Sequence, residues 1–294
     1  MVYKNWVDAL GVNPMAVSTI NEIPFLPVSF FKTHKVVSSM LPAQQVFTSS
    51  GTTQTINSSH FVTDVSVYEQ SFYKGFEAFY GPVTDWCIIG LLPAYLERQG
   101  SSLVYMVDHL IKASNKKESG FYLYEFEELA LLLQKLEGRK QKTMIIGVTF
   151  ALIDFATAFP MHLRYTTIVE TGGMKGRKRE MIREEVHQVL KLAFGLTAIH
   201  SEYGMTEILS QAYSTGNGIF KTVPWMKVLT RDEDDPLQVQ LSGKGLLNII
   251  DLANINSCSF LATDDVAIVH EDSSFEILGR MDTSDIRGCS LLVI

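Results

Sequence analysis

Two short runs of residues set the chemistry this chain can attempt. The first is Thr48-Ser49-Ser50-Gly51-Thr52-Thr53, which follows the apolar pair Val46-Phe47. Small hydroxylated residues around a glycine let backbone N–H and side-chain O–H groups converge on one anion, as a triphosphate requires. The run is not a Walker A loop, because it lacks the G-x-x-x-x-G-K-[ST] spacing. On its own it also fits a Ser/Thr-rich surface turn. The second run is Tyr203-Gly204-Met205-Thr206-Glu207. A glycine beside an aromatic ring lets a nucleobase approach the backbone. Thr206 can set a hydroxyl on a phosphate, and Glu207 a carboxylate on Mg²⁺, a hard cation that prefers oxygen. The same letters also suit the first turn of a helix. Thr171-Gly172-Gly173 is open in the same way, since paired glycines serve close ligand approach or a plain tight turn.

These residues need elements to position them. Val65, Tyr68, Phe72, Phe76 and Phe79 recur at helical spacing, with Asp64 as an N-cap, which predicts an amphipathic helix. Cys87–Leu92 reads as a strand, Ser102–Lys112 and Glu125–Leu136 as helices, and Thr143–Val148 as a buried strand. Thr166–Glu170 follows as a strand, Lys178–Ala193 as a charged helix and Thr197–His200 as a short strand. Such alternation builds a mostly parallel sheet covered by helices. The apolar windows beginning at Cys87 and Met144 read as buried strands running into turns, and are about half the roughly 20 residues a membrane span needs. Beyond Pro224 the texture changes to short β-like runs: Met226–Thr230, Leu237–Leu241, Leu246–Asp251, Val266–His270 and Ser274–Leu278. The expected division is therefore 1–222 as an α/β core and 223–294 as a β-rich subdomain, packed as one unit.

Composition narrows the function class. The 294 residues carry 25 Lys and Arg against 32 Asp and Glu, so the formal charge is 25 − 32 = −7. This balance argues against a general nucleic-acid binder, which needs a basic face, and any anionic ligand must be met locally. With 46% hydrophobic residues the chain is globular. Three scattered cysteines, Cys87, Cys258 and Cys289, make neither a disulfide framework nor a zinc site. The N-terminal residues show no secretory pattern. Cytoplasmic location is the expectation.

In order along the chain, Thr48–Thr53, Tyr203–Glu207, Thr263-Asp264-Asp265 and Gly279-Arg280-Met281-Asp282 resemble the phosphate loop, YGxTE, TGD and GRxD motifs of the adenylate-forming superfamily. Within it, LPAYLERQGSSLVYMV, PWMKVLTRDEDDP, GLLNIIDLANINSCSFLATDD and LGRMDTSDIRGCSLL look like the acyl-protein synthetases of bacterial bioluminescence. The resemblance covers nearly the whole chain. It implies an α/β fold: a large adenylate-forming N-terminal-type domain of mixed and parallel sheets covered by helices, plus the smaller β-rich subdomain. It implies ATP and Mg²⁺ as cofactors, a carboxylic acid as substrate, and a reductase or other acyl-acceptor protein as partner.

Residue by residue, the resemblance assigns Thr48, Ser49, Ser50, Gly51, Thr52 and Thr53 to the phosphates, with Gly172 and Gly173 flanking the adenine. Tyr203 with Gly204 would meet the base, Thr206 the α-phosphate and Glu207 the Mg²⁺. Asp265 and Arg280 would bind the ribose hydroxyls. His60 matches a histidine that lines the carboxylate pocket, and also fits an ordinary histidine at a helix entry. Cys289, in Arg287-Gly288-Cys289-Ser290, matches a cysteine that receives the acyl group as a thioester; the alternative is a small apolar residue in a terminal strand.

The departures are specific. The phosphate loop continues into Gln54-Thr55-Ile56 rather than Pro-Lys-Gly. Lys175, Arg177, Lys178 and Arg179 could supply positive charge, or could be a solvated helix turn. The lid domain that follows the GRxD hinge in most superfamily members, with its adenylation lysine, is expected to be absent. Three functions remain open: acylation of Cys289 and transfer onward, direct passage of the acyl adenylate to coenzyme A or a carrier protein, and a non-catalytic nucleotide-binding subunit. The run Phe150–Phe155 could line an acyl tunnel or pack in the core. A long-chain fatty acid is implied by the resemblance alone.

Overall fold

The computed structural model describes residues 1–49, 56–92, 100–172 and 181–281. Its strands in chain order are β1 (Leu26–Pro27), β2 (Gln45–Thr48), β3 (Ser59–Val62), β4 (Cys87–Leu91), β5 (Gly120–Phe121), β6 (Thr143–Val148), β7 (Thr166–Thr171) and β8 (His200–Tyr203). They continue as β9 (Ala212–Ser214), β10 (Lys221–Thr222), β11 (Met226–Arg231), β12 (Val239–Gln240), β13 (Gly243–Asp251), β14 (Phe260–Val269) and β15 (Phe275–Arg280).

Continuous apolar runs such as Cys87–Leu91 and Thr143–Val148 are buried along their whole length, as strands covered on both faces must be. They sit in a seven-stranded sheet ordered β10-β9-β8-β7-β6-β4-β5. The pairings from β5 through β4, β6 and β7 to β8 are parallel, and β9 and β10 add antiparallel. The expected helices are present as Val65–Tyr80, Ser102–Ser114, Phe126–Gly138 and Arg183–Phe194. Asp64 caps the first by accepting from the Ser66 amide at 3.1 Å. Residues 178–180 of the expected charged helix lie outside the described residues.

Sheet order reverses at β4, since the chain leaves it for β5 on one side and returns to β6 on the other. In such sheets ligands are met outside the carboxyl ends of the strands. Those ends, at Leu91, Val148, Thr171 and Tyr203, lie immediately before residues of interest.

A six-stranded sheet follows, with β1-β14-β13-β11-β12 in line and β15 also on β14. β1 pairs in parallel with Leu261 and Ala262, and Leu26, Val28, Phe31 and Val36 share a core with Val228, Leu247 and Ile249. The N-terminal residues thus contribute to the sheet built from the second part of the chain. Composition could not show this, because a two-residue strand has no periodicity to read.

Three other local differences have clear causes. The window from Met144 runs into the helix Thr149–Ala158 rather than a turn; its Leu152 and Phe155 are fully buried in the main core. The short strand expected at Thr197–His200 lies at His200–Tyr203, and Leu237–Leu241 contracts to Val239–Gln240. Register is set by neighbours, not by the apolar run alone.

Gly245 on β13 is required by packing, because a Cβ there would meet the backbone carbonyl of Arg231 on β11. Backbone cannot swing aside as a side chain can. Gly245→Ala is expected to destabilise the fold by about 1–3 kcal/mol, the range for overpacking, measurable as a lower urea midpoint at unchanged m-value.

Candidate active site

The hydroxyl-rich run begins at the end of a hairpin. β2 and β3 pair from Gln45↔Val62 to Thr48↔Ser59, so the segment 49–58 is the connection between two fixed strands. Its base is tied further. The Ser49 amide donates to the Ser58 carbonyl at 3.0 Å, and Ser49 Oγ accepts from the Ser58 amide at 2.9 Å. The Thr48 amide donates to the Gly100 carbonyl at 2.8 Å, joining this hairpin to the segment just before the helix Ser102–Ser114. Ser50, Gly51, Thr52 and Thr53 lie outside the described residues.

The second run leaves the carboxyl end of β8. Thr171 and Glu202 are register partners on β7 and β8, so Gly172 and Tyr203 leave adjacent strands side by side. Gly172 takes φ of 71°, a left-handed conformation that glycine adopts freely, and its carbonyl accepts from Thr149 Oγ1 at 3.2 Å. Gly173 and the basic residues 175–179 lie outside the described residues.

Residues 204–207 form loop and turn, not the first turn of a helix. Buried side chains from elsewhere hold them. His60 Nδ1 donates to the Thr206 carbonyl at 2.8 Å, and Asn254 Nδ2 donates to the Glu207 carbonyl at 2.7 Å. Asp251, at the end of β13, accepts from the amides of Leu209 at 2.8 Å and Ser210 at 3.1 Å, from Ser210 Oγ at 2.6 Å, and from the Ala253 amide at 3.1 Å. Glu207 is buried. Among the described residues no group of three or more His, Cys, Asp or Glu is placed to hold a metal ion.

Tyr203 bridges the two sheets. Its hydroxyl donates to Asp265 Oδ2 at 2.7 Å, and Arg280 Nε meets Asp265 Oδ1 at 3.2 Å. Asp265 and Arg280 are cross-strand partners on β14 and β15. The Tyr203 ring packs edge-on against Phe275 and Phe220, with centroids 5.6 and 6.1 Å away. Burial, with the negative charge of Asp265, holds the phenol far above its ordinary pKa, so it stays a donor. The structure therefore brings Tyr203, Asp265 and Arg280 together directly, and His60 and Thr206 to one another.

His60 is fully buried, with its ring edge-on to Phe31. Burial pushes its pKa down to about 4, against the opposing effects of the Thr206 carbonyl and Asn254. It is neutral at pH 7, with the proton on Nδ1 fixed by Thr206. Among the described residues, its Nε2 and the nearby Asn254 Oδ1 lie within hydrogen-bond geometry of no partner. Cys87 is buried, and Cys258 is buried with its thiol pushed up to about 12. Neither is a ready nucleophile. Cys289 lies outside the described residues.

Sequence patterns did not single out Asp251, Asn254 or Glu202. The signal was present: a polar residue inside or ending an apolar strand, as in Leu246–Asp251, needs a partner where it is buried.

The sequence profile of the acyl-protein synthetase family LuxE matches residues 1–294. The chain belongs to this family. No curated protein sequence gives a significant match. Among solved structures the chain is similar to 2-hydroxyisobutyryl-CoA ligase in complex with 2-HIB-AMP and CoA, at 12% identity over 96% of this chain and 65% of that one, TM-score 0.66. It is also similar to O-succinylbenzoate coenzyme A synthetase (MenE) from Bacillus subtilis in complex with ATP and magnesium ion, at 14% identity over 82% and 51%, TM-score 0.54. A third is the luciferase-like enzyme of the nonluminescent mealworm Zophobas morio, at 14% identity over 84% and 59%, TM-score 0.51. The LuxE-family chain thus has the fold of the N-terminal part of adenylate-forming enzymes and spans about half to two thirds of their length. No helix among its described residues is long and apolar enough to cross a membrane.

One buried acid beside the site has a measurable effect. Glu202 accepts from Thr171 Oγ1, and its Oε1 occupies the space a Cβ on Gly204 would need. Burial, with the charge of Glu170 adding, pushes it up to about 7 although the Thr171 bond opposes this. The folded state therefore holds this proton more tightly than the unfolded chain does. The contribution is favourable below the ordinary carboxylate range near 4.5 and is lost as pH rises through 7. Glu202→Gln is expected to stabilise the protein by up to about 3 kcal/mol at pH 8 and by little at pH 4.5, read from urea unfolding at the two pH values.

Proposed function

We propose that the protein activates a carboxylic acid, a long-chain fatty acid, with ATP, and passes the acyl group to Cys289 and then to a partner protein. The observation that carries this reading is the Tyr203–Asp265–Arg280 contact at the carboxyl end of β8. It joins an aromatic face, a carboxylate acceptor and a guanidinium donor, the set a nucleoside's base and ribose need. The family match and the fold likeness support it.

In this reading the adenine sits between the Gly172-Gly173 segment and Tyr203, and the ribose hydroxyls meet Asp265 and Arg280. The hairpin loop from Thr48 to Thr53 receives the β- and γ-phosphates, and Thr206 meets the α-phosphate. The donor set suits Mg²⁺, which is commonly held by one or two carboxylates together with substrate phosphates; Glu207 would be its protein ligand, and the ion would offset phosphate charge. A substrate carboxylate oxygen attacks the α-phosphorus, the bond to the bridging oxygen breaks, and pyrophosphate leaves with that electron pair. N–H and O–H donors of the run Thr48–Thr53 would stabilise the extra negative charge of the transition state. The Cys289 thiolate then attacks the acyl carbon, and AMP leaves with the former carboxylate oxygen. His60 contributes by holding the Thr206 carbonyl, which fixes the turn that presents the Thr206 hydroxyl.

The test is carboxylate-dependent exchange of labelled pyrophosphate into ATP, followed by intact mass after incubation with ATP, Mg²⁺ and acids of graded chain length. A hydroxylamine-labile acyl adduct, absent in Cys289→Ser, is expected, largest with long chains. ATP binding without exchange would leave a nucleotide-binding subunit. Undiminished acyl-thioester release to coenzyme A by Cys289→Ser would assign the second half-reaction to an external thiol.

A further inference from the structure

Asp265 pairs with Arg280 on β15 but has no partner in the ladder between β13 and β14. Between the pairs Asn248↔Ala262 and Leu246↔Val266, β13 supplies one residue, Leu247, while β14 supplies three: Thr263, Asp264 and Asp265. A bulge of this size bends its strand and re-aims side chains. Here it occurs where Asp265 turns to meet Tyr203 and Arg280. It also takes the Leu247 and Thr263 carbonyls out of the antiparallel pattern, in a part of the sheet where Leu247 and Thr263 are fully buried. Buried carbonyls need partners.

One side chain supplies most of them. Arg231, on β11, is buried. β13 lies between β11 and β14, so the guanidinium reaches past one strand to the next. Nη1 donates to the Leu247 carbonyl at 3.1 Å and to Asn248 Oδ1 at 2.9 Å, and Nη2 donates to the Thr263 carbonyl at 2.6 Å. Thr263 Oγ1 completes the set by donating to the Leu247 carbonyl at 2.9 Å and accepting from the Asp265 amide at 3.2 Å. A planar fork with donors in fixed directions can hold both sides of the bulge at once; a lysine ammonium on a flexible stem lacks that fixed fork. Burying this cation is costly and lowers its pKa, a shift that the negative charge of Asp264 in the bulge partly opposes, whereas an unbulged ladder would need no such group.

We propose that Arg231 is a positioning residue for Asp265: it braces the bulge that aims this carboxylate at Tyr203, Arg280 and the ribose of a bound nucleotide. The inference rests on the proposed binding of ATP at Asp265. The alternative is a purely structural arginine, whose loss would weaken the fold without changing how the ribose is recognised.

The experiment measures binding of ATP and of 2′,3′-dideoxy-ATP to the full chain by calorimetry, with urea stability recorded for each variant. The wild type is expected to prefer ATP by about tenfold or more, the size of hydrogen bonds to a charged group. Asp265→Ala should abolish the preference. Arg231→Met should reduce it to within about twofold of the Asp265→Ala value while leaving dideoxy-ATP affinity nearly unchanged, and the double variant should lose nothing further. Arg231→Lys keeps the charge without the fork and serves where Arg231→Met fails to fold; it should show the same loss, with faster amide exchange over 262–266 and unchanged exchange over 87–91. Full preference for ATP in a folded Arg231 variant, with or without lower stability, overturns the inference. A wild type that binds ATP and dideoxy-ATP equally, or neither, overturns the reading of Asp265 itself and the inference with it.

Discussion

The Asp251 carboxylate is the contact on which the geometry of the site most depends. It ends β13 of one sheet and accepts four hydrogen bonds, three of them from Leu209 and Ser210 in the segment that leaves the other sheet. Irregular backbone at such a place has no ladder to satisfy it, so each buried amide or carbonyl must find a side chain. His60 and Asn254 meet that need for the carbonyls of Thr206 and Glu207. The turn carrying Thr206 and Glu207 is therefore shaped from outside, by residues 60, 251 and 254, more than by its own sequence.

Burying these groups has a cost that their partners must offset. Burial raises the Asp251 pKa, and its four donors oppose the shift. Glu170 and Glu202, on neighbouring strands, are raised by burial as well, and the charge of Glu170 raises Glu202 further. Each has a threonine hydroxyl donating to it, Thr149 and Thr171 respectively. These donors offset only part of the cost of burial, so the two carboxylates at the carboxyl end of the parallel sheet lower stability while adding local polarity near the site. The opposite sheet carries the complementary case in Arg231, a buried cation that donates to neutral acceptors and is partly offset by the charge of Asp264.

Most elements of the α/β part were legible because their signals are local. The 3.6-residue spacing of Tyr68, Phe72 and Phe76 defines the helix Val65–Tyr80 nearly to the residue, and the unbroken apolar run Thr143–Val148 matches β6 at both ends. The helix Thr149–Ala158 was missed because it is apolar on most sides, so no periodicity separates it from the strand before it. β1 and the small strands β9 and β10 were missed because two or three residues carry no pattern; long-range pairing alone makes them strands.

Taken alone, the sequence determined which residue types are available and in what order: the hydroxyls of Thr48–Thr53, the Tyr203–Glu207 run, and the segments that contain Asp265 and Arg280. Those are covalent facts and survive any packing. Tertiary structure decided that Tyr203 and Asp265, 62 positions apart, share a hydrogen bond, that His60 is a buried neutral brace, and that Arg231 spans a bulge that leaves Asp265 without a partner on β13. The reason is that register, burial and hydrogen-bond satisfaction depend on groups brought together across the two sheets, and no local window of sequence contains both partners.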